Sequence, residues 1–314
     1  MELNMRDFSG KTAFITGGAS GIGFGIAKAC AEEGMNVVIA DIRQSAIDDA
    51  LRIFEKNGQA ALGLPLDVTD RAAYARAADA AEAAFGNIHL LVNNAGIGCA
   101  VGPLWDVSFK ETDLALGVNL TGVLNGIQVV VPRILRHGEG GHVVSTASKA
   151  ALLPVPGCGL YNLTKSAVVG LMETMAEDLA GTNVGASVFC PGGYQTNLGA
   201  SSAEVTARLT GGDVPTPPPP PPKDGGAMPD WEGLIRPAQD AGRRVLRGVL
   251  RGDLYILTHS EFKDGVESRV NAILRAFPDE TPNPRYGEVF PFLTYNALFD
   301  GQTQVPPLSP YTTS

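Results

Sequence analysis

From Lys11 onward, short apolar runs alternate with longer amphipathic segments, and this alternation decides the class of fold. The apolar runs are continuous rather than interrupted by polar residues, which is typical of strands in a parallel sheet covered on both faces. The predicted strands are 12–16, 36–40, 61–66, 89–92, 142–146, 186–189 and 254–257. The predicted helices are 22–33, 46–56, 70–85, 109–116, 120–135, 162–180, 237–250 and 261–277. The sequence therefore predicts an α/β fold built on a doubly wound parallel sheet.

Proline is spread unevenly along the chain. Of the 22 prolines, six lie before residue 200 and sixteen lie from residue 215 onward. Six are consecutive at 217–222, a run that favours polyproline II structure or disorder and excludes a helix or a central strand. We predict a single domain over 1–277 with a variable insertion at 197–236. The remaining residues, 278–314, form a C-terminal tail rich in proline and aromatic side chains. The proline run is also a candidate docking segment for a proline-recognising protein.

The charge balance and the residue types exclude several classes of function. The chain has 24 Lys and Arg against 33 Asp and Glu, a net charge of −9, so we expect no nucleic-acid partner. No apolar run approaches the ~20 residues that span a bilayer, and no apolar leader precedes the first strand. The four cysteines lack CxxC spacing, and the four histidines are too scattered to predict a metal cluster. We expect a cytoplasmic protein with no membrane or metal partner.

A glycine-rich loop, Thr16–Gly23, joins the first predicted strand to the first predicted helix. Glycines at such a junction let the backbone approach a pyrophosphate, whose charge is favoured by the N-terminus of the following helix. A tight strand-to-helix turn that binds nothing is the alternative. The candidate cofactor contacts in this loop are Gly17, Ser20, Gly21, Ile22 and Gly23.

An acidic residue, Asp41, follows the second predicted strand. A carboxylate at this point accepts hydrogen bonds from an adenosine ribose and repels a 2′-phosphate. Neither Ser20 nor Ile42 supplies a cation for such a phosphate, whereas Arg43 is close enough in sequence to leave NADP open. Capping of the next helix is the alternative role for Asp41. The pattern favours NAD as the cofactor.

Tyr161 and Lys165 are four residues apart at the start of a predicted helix, so their side chains share one face. An ammonium beside a phenol favours the phenolate, so we expect Lys165 to lower the pKa of Tyr161 and make it an acid/base near neutral pH. Ser148 follows the predicted strand 142–146, and its hydroxyl is expected to project from the carboxyl end of the sheet, where ligands bind. Ser145 is the second choice for this hydroxyl.

Taken in order, these motifs resemble those of the short-chain dehydrogenase/reductase family in its common single-domain, Rossmann-like form. The resemblance covers residues 10–260. It rests on the TGxxxGxG-type loop at 16–23, the NNAG segment at 93–96, Asn119, the Ser148, Tyr161 and Lys165 set, and the Pro191-Gly192 turn. It implies further cofactor contacts at Asp67, Val68, Asn94, Ala95, Gly96, Tyr161, Lys165, Pro191, Gly192, Tyr194 and Thr196.

The same resemblance implies the catalytic roles. Tyr161 would take the alcohol proton as the hydride leaves for the nicotinamide, and Ser148 would hold the substrate oxygen by hydrogen bonding. Lys165 would bind the cofactor ribose and keep Tyr161 acidic, and Asn119 would hold a water that passes the proton to solvent. Tyr194 departs from the family pattern, which has an aliphatic residue there, and its bulk leaves the contact with the nicotinamide carboxamide open.

Four stretches resemble, more narrowly, the bacterial Cα-dehydrogenases that oxidise benzylic alcohols of lignin-derived β-aryl ethers: 14–27, 40–44, 119–127 and 254–259. This resemblance implies a bulky, aromatic secondary alcohol as substrate, a ketone as product, and a place in aromatic compound catabolism. The insertion at 197–236 lies where the family keeps its substrate lid. The alternatives are a carbonyl reductase, a steroid or aliphatic alcohol dehydrogenase of the same family, and a non-catalytic NAD-binding protein. The family also implies a homodimer or homotetramer.

Overall fold

A computed structural model of the chain describes residues 5, 7–99, 101–212 and 233–306. Among these residues, seven strands pair in parallel in the order β3-β2-β1-β4-β5-β6-β7. Their bounds are β1 Thr12–Thr16, β2 Asn36–Asp41, β3 Ala61–Pro65, β4 Leu90–Asn93, β5 Gly141–Thr146, β6 Val184–Cys190 and β7 Tyr255–Leu257. The predicted doubly wound, Rossmann-like α/β fold is therefore confirmed.

Helices connect the strands and cover the sheet. Their bounds are α1 Gly21–Glu32, α2 Gln44–Lys56, α3 Arg71–Phe85, α4 Phe109–Leu116, α5 Gly122–His137, α6 Lys149–Leu152, α7 Gly159–Asp178, α8 Leu198–Thr210 and α9 Ala238–Arg251. A π-helical turn, Gly117–Thr121, joins α4 to α5. Local sequence explains where several begin. The Asp70 carboxylate caps α3 by accepting two backbone N–H groups, and Ser108 forms a capping box with Glu111 at the start of α4.

Two hydrophobic clusters bury the two faces of the sheet. On one face α1, α2 and α9 pack through residues such as Ile26 and Val245. On the other face α3, α5 and α7 pack through residues such as Tyr74 and Met172. Every residue of β1 and of β6 is buried, so side chains on both faces of these strands contact helices. Burial on both faces explains why the strands are continuously apolar in the sequence.

The order of the strands creates a crevice at one end of the sheet. The chain runs from β1 outward through β2 to β3, and then returns to place β4 on the other side of β1. The loops that follow β1 and β4 therefore leave the sheet in opposite directions. In open α/β sheets, ligands bind in the crevice that such a reversal opens at the carboxyl ends of the strands.

The predicted strands agree with the observed ones to within two residues at each end, and the predicted helices of the sheet to within three. Two helices between β5 and α9 were not predicted. The short helix α6 follows β5, and α8 occupies part of the insertion at 197–236, which the sequence indicated only as irregular. The predicted polyproline run, 217–222, lies outside the described residues.

The chain divides into two compact units, one ending at Phe262 and the other beginning at Lys263. The second unit contains the helices α10 Lys263–Arg275, α11 Arg285–Val289, α12 Pro291–Thr294 and α13 Ala297–Thr303. The last three were not predicted in the tail. Local signals account for two of them, since proline is the first residue of α12 and the Asn296 side chain caps α13. The domain boundary after residue 277 stays a prediction.

In the described part of the chain, one helical stretch, Phe109–His137, is long and apolar enough to cross a membrane by length and composition alone. Half of its most apolar window is buried inside the fold. There α5 packs against β4, β5 and α3. This burial is what a core helix of an α/β sheet requires, so the stretch gives no support to a membrane span.

Candidate active site

A cavity of about 350 Å³ opens in the crevice at the carboxyl end of the sheet. It is lined by nearly all the residues that the sequence predicts for cofactor binding and catalysis. They are Gly17, Ser20, Gly21, Ile22, Asp41, Asp67, Val68, Asn94, Ala95, Gly96, Ser148, Tyr161, Lys165, Pro191, Gly192, Tyr194 and Thr196. Two predicted residues, Gly23 and Asn119, do not line the cavity but lie against residues that do.

The glycine-rich loop takes a conformation that requires glycine. Gly17 and Gly21 have φ angles of 61° and 53°, in the left-handed region that side chains rarely adopt. A Cβ at Gly17 would also lie 2.9 Å from the Cα of Ala95 in the loop after β4. Ser20 precedes α1 without capping it through its side chain, and the first turn of α1 has no acidic residue. The helix N-terminus is therefore open to an anion such as a pyrophosphate.

Hydrogen bonds join this loop to the segment after β4. The Asn94 side-chain amide donates to the carbonyl oxygens of Thr16 at 3.1 Å and Gly17 at 3.3 Å. The Thr16 hydroxyl oxygen accepts the backbone N–H groups of Asn94 and Ala95 at 3.0 and 3.1 Å. Gly23 keeps α1 close beneath the loop, because a Cβ there would lie 2.2 Å from the carbonyl oxygen of Gly17. These contacts fix the shape of the crevice.

Asp41 and Arg43 stand together where the adenosine end of a dinucleotide is expected. The Asp41 carboxylate is 5% exposed and accepts the backbone N–H groups of Ala19 at 3.3 Å and Arg43 at 3.1 Å. Arg43 donates from Nε to Asp41 at 3.3 Å and from Nη2 to the Ser20 hydroxyl at 2.7 Å. Arg43 also lines the cavity, and the two residues that accept these hydrogen bonds, Asp41 and Ser20, are predicted cofactor contacts.

Ser148 is held with its hydroxyl oriented. It precedes α6 as the N-cap residue, and its Oγ accepts the backbone N–H of Ala150 at 3.1 Å. With that lone pair engaged, the hydroxyl hydrogen is donated on the cavity side, where the phenolic oxygen of Tyr161 is a partner. Ser145 is fully buried, and its Oγ accepts from the Asn93 amide at 3.3 Å, so it does not line the cavity. The geometry favours Ser148, the first choice from the sequence.

Tyr161 and Lys165 face the cavity from the first turns of α7. Burial raises the pKa of Tyr161, and a hydrogen bond with Ser148 opposes the rise. Lys165 is 4% exposed. Its Nζ donates to the Thr146 carbonyl oxygen at 2.9 Å and lies 5.7 Å from the centroid of the Tyr161 ring. Burial lowers the pKa of Lys165 to about 8.

The predicted shared face of Tyr161 and Lys165 is therefore confirmed, but the expected lowering of the Tyr161 pKa is wrong in this geometry. The ammonium of Lys165 lies over the ring and binds the Thr146 carbonyl oxygen. Burial is the larger influence on both side chains, and in each case it disfavours the charged form.

Asn119 lies in the π-helical turn between α4 and α5 and is fully buried. Its Oδ1 accepts the backbone N–H of Ile97 at 2.8 Å, and its Nδ2 donates to the Ile97 carbonyl oxygen at 3.0 Å. The side chain therefore ties the helix to the loop that carries Gly96. π-helical turns are common at functional sites. The predicted role of Asn119 in holding a water stays a prediction.

The bulky Tyr194 is accommodated by packing. Its ring is 7% exposed and meets the imidazole of His259 edge-on, with centroids 5.9 Å apart. His259 in turn stacks on Phe262 at 5.4 Å. The aromatic residue thus fills a cluster beside the cavity, which accounts for its size at a position where the family has an aliphatic side chain.

Several lining residues were missed because they belong to α8 or directly precede it. Asn197, Leu198, Ser201, Val205 and Leu209 line the cavity. The residues from Leu198 onward recur at intervals of three or four, the spacing of one helical face. This periodicity is visible in the sequence, but the neighbouring prolines and glycines obscured it.

Two histidines that appeared scattered in the sequence meet in the fold. His89 and His137 have ring centroids 5.1 Å apart, and with Glu139 they bring potential metal ligands within 4.8 Å of one another. The prediction of scattered histidines is wrong for this pair. Nδ1 of His89 accepts the backbone N–H of Thr12 at 3.2 Å, and its Nε2 lies 2.8 Å from the Glu139 carboxylate. Nδ1 of His137 accepts the backbone N–H of Glu139 at 3.1 Å, and its Nε2 lies 2.9 Å from the Ile88 carbonyl oxygen. Since all four ring nitrogens have partners in the protein, we interpret the group as a structural contact at the amino end of the sheet.

Comparisons with known proteins agree with this geometry. The family model described as short chain dehydrogenase matches residues 11–206. A curated relative, the "C alpha-dehydrogenase" of Sphingobium sp. strain SYK-6, is 35% identical over 272 residues, which cover 86% of this chain and 87% of the relative.

Solved structures of short chain dehydrogenases have a similar fold. A short chain dehydrogenase/reductase from Burkholderia phymatum in complex with NAD has a TM-score of 0.76 at 33% identity, covering 88% of this chain and 99% of that one. A short chain dehydrogenase from Burkholderia cenocepacia in complex with NADP has a TM-score of 0.63 at 29% identity, covering 80% of this chain and 95% of that one. Similar folds thus bind either dinucleotide.

Proposed function

The chain belongs to the short chain dehydrogenase family and is an oxidoreductase of the alcohol dehydrogenase type, and we propose that it uses NAD to oxidise bulky, aromatic secondary (benzylic) alcohols to ketones. One observation carries this proposal. Ser148, Tyr161 and Lys165 line the same cavity as the glycine-rich loop and Asp41. An acid/base group therefore stands in one crevice with a site suited to a dinucleotide.

The residues of the cavity fit a nicotinamide dinucleotide, which supplies the hydride acceptor when it is bound. We assign the proton of the alcohol to the phenolic oxygen of Tyr161. Ser148 donates its hydroxyl hydrogen to the substrate oxygen, since its own oxygen already accepts from Ala150. Lys165 would hold the ribose hydroxyls from a position beside Gly96, where a Cβ would lie 3.5 Å from its Nζ. The bare backbone at Gly96 leaves room for this contact.

The preference for NAD over NADP is inferred from Asp41. Its buried carboxylate stands at the end of β2 and lines the cavity. A ribose 2′-hydroxyl donates a hydrogen bond to such a group, whereas a 2′-phosphate is repelled by it. Arg43 is the cation that would favour the phosphate, and its Nε is engaged by Asp41 itself. The balance supports NAD.

The substrate class is inferred from the relatives and from the wall of the cavity. The Sphingobium relative is named a C alpha-dehydrogenase. The cavity that Ser148 and Tyr161 line is also lined by apolar residues outside the predicted cofactor contacts, among them Ile97, Leu198 and Val205. Such a wall favours a bulky apolar substituent on the reacting carbon over a small polar one. A contribution of the tail 278–314 to this pocket stays a prediction.

Reduction of a ketone by the same site is a second candidate, and one observation favours it. Burial raises the pKa of Tyr161, so its phenol keeps its proton at neutral pH. A protonated phenol is the form that donates a proton to the oxygen of a ketone as the hydride arrives. Oxidation needs the opposite form and is therefore expected to gain rate as the pH rises.

The test uses the purified chain with NAD and three secondary alcohols, 1-phenylpropan-1-ol, 1-cyclohexylpropan-1-ol and butan-2-ol. The absorbance of the reduced cofactor reports turnover. The phenyl and cyclohexyl compounds have similar bulk, so a higher kcat/KM for the phenyl compound supports an aromatic preference. A higher kcat/KM for butan-2-ol than for either would overturn the substrate class.

A Tyr161→Phe variant tests the mechanism in the same assay. We expect kcat to fall by about 10³-fold, because the ring remains but its proton-transferring oxygen is lost. The dissociation constant of NADH, measured by its fluorescence, should stay within about twofold of the parent value. Retained turnover would refute the role of Tyr161.

The family resemblance implies the assembly, and the cysteine pattern of the sequence favours a reducing cytoplasm. We infer a homodimer or homotetramer that acts in the cytoplasm on a small-molecule alcohol or ketone. Light scattering after size-exclusion chromatography measures the mass in solution, and a monomer would contradict the inference.

A further inference from the structure

Helix α8 reaches the adenosine end of the cavity as well as its catalytic end. In its second turn, the Ser202 hydroxyl oxygen accepts the backbone N–H of Gly98 at 2.8 Å, which attaches the helix to the loop after β4. At its end, Arg208 donates from Nη1 to the Ile42 carbonyl oxygen at 2.7 Å, which attaches it to the loop after β2. Leu209 lines the cavity next to this second attachment. The helix that corresponds to a substrate lid therefore also covers the expected site of the adenosine ribose.

Between these attachments α8 presents a carboxylate to Arg43. The Glu204 Oε2 lies 4.0 Å from Nη1 of Arg43. The other guanidinium nitrogens of Arg43 are occupied too, by Asp41 at Nε and by Ser20 at Nη2. Each of the three nitrogens thus faces an acceptor of the protein, and two of these acceptors are carboxylates.

We propose that Glu204 is a specificity-determining residue that disfavours NADP. The inference rests on the proposed function only in placing the adenosine ribose beside Asp41. A 2′-phosphate carries up to two negative charges and needs a cation to compensate them. To bind Arg43 it must share the guanidinium with Glu204 and Asp41 or displace them, and in either case it lies close to both carboxylates. A 2′-hydroxyl makes no such demand, so Glu204 discriminates by opposing the wrong cofactor.

The location of Glu204 on α8 sets the size of the effect. Its side chain is 60% exposed, so water and salt screen the carboxylate. We therefore expect Glu204→Gln to tighten the binding of NADPH relative to NADH by about fivefold at low ionic strength. The change should shrink as NaCl is added, which a purely structural role of Glu204 would not produce.

The test measures the dissociation constants of NADH and NADPH for the full chain by nicotinamide fluorescence, at about 20 and about 500 mM NaCl. Four proteins are compared: the parent, Glu204→Gln, Arg43→Met, and the double variant. Glu55→Gln on the exposed side of α2 is the matched control, because it removes the same charge away from the cavity. The ratio of the two dissociation constants is the quantity of interest.

We expect Glu204→Gln to shift the ratio toward NADPH by at least threefold in the parent background and by less in the Arg43→Met background, where only the direct repulsion between Glu204 and the phosphate is left to remove. A shift below threefold, an equal shift with Glu55→Gln, or an equal shift without Arg43 would overturn the role of Glu204. Binding needs no substrate, so this outcome is independent of the alcohol assay. A parent protein that binds both cofactors but oxidises none of the alcohols would contradict the proposed function and leave the inference on Glu204 intact.

Discussion

Lys165 is expected to make the free energy of unfolding depend on pH in a way that a Lys165→Met variant does not share. Burial lowers the pKa of its ammonium from 10.5 to about 8 in the folded chain. In the unfolded chain the pKa returns to its ordinary value, so between these two values the unfolded chain binds a proton that the folded chain has lost. The contribution of Lys165 is therefore present in full above pH 10.5 and is lost as the pH falls through about 8.

The magnitude follows from the size of the shift. The difference between 10.5 and about 8 is about 2.5 pKa units. At about 1.36 kcal/mol per unit, it corresponds to about 3 kcal/mol of stability gained by the parent across this range. Methionine also removes the donor to the Thr146 carbonyl oxygen, at a cost of about 1–3 kcal/mol. That cost is the same at each pH, because neutral lysine also donates. It therefore shifts the plot of unfolding free energy against pH for Lys165→Met without changing its slope.

The assay is urea unfolding of the parent and Lys165→Met at intervals from about pH 7 to about pH 10.5. Lys56→Met, at the exposed end of α2, controls for the loss of one lysine from the unfolded chain. The difference between parent and Lys165→Met should rise by about 3 kcal/mol over the range. Parallel curves, to within about 1 kcal/mol, would refute the argument that the site holds a lysine at the expense of its charge.

Two further variants test other parts of the site and the sheet. Asp41→Ala should raise kcat/KM with NADP relative to that with NAD by about tenfold, because it removes a repelling carboxylate and releases Arg43. An unchanged ratio of the two kcat/KM values would refute the role of Asp41 in selecting NAD. His142 is buried in β5 with Nε2 2.7 Å from the Ser187 hydroxyl, and burial lowers its pKa from 6.5 to about 3. Because the folded-state pKa is depressed, the stability that neutral His142 contributes is present above pH 6.5 and is lost as the pH falls toward 3. Relative to His142→Leu, the parent should lose about 3 kcal/mol of unfolding free energy between about pH 6.5 and about pH 4, as measured by urea unfolding. Equal losses in the two proteins would contradict the lowered pKa of His142.

The parts of the site that local sequence determines were predictable. The loop at 16–23 needs glycine because of its own backbone angles, which follow from the strand–loop–helix pattern. The α7 residues share a face because they are one helical turn apart. The strands were predictable because burial on both faces makes them continuously apolar. In each case the cause acts over a few residues of chain.

The parts that were not predictable depend on contacts between distant segments. The position of the Lys165 ammonium is set by a carbonyl at Thr146, nineteen residues away. The partners of Arg43 come from three elements, the loop before α1, the end of β2 and α8. His89 and His137 meet only because β4 and the end of α5 lie side by side. Spacing along the sequence holds no information on these pairs until the topology is known.

The reach of α8 has a consequence for how the two ligands of the site influence each other. Its residues line the cavity from Leu198 to Leu209, and it is attached to the loops after both β2 and β4. A substrate that stabilises this position of α8 also stabilises the wall around the adenosine ribose. Coupling free energies are reciprocal, so a bound dinucleotide must favour substrate by the same factor that substrate favours the dinucleotide. We therefore expect the affinities for dinucleotide and for substrate to be coupled through α8, a helix that the sequence did not predict.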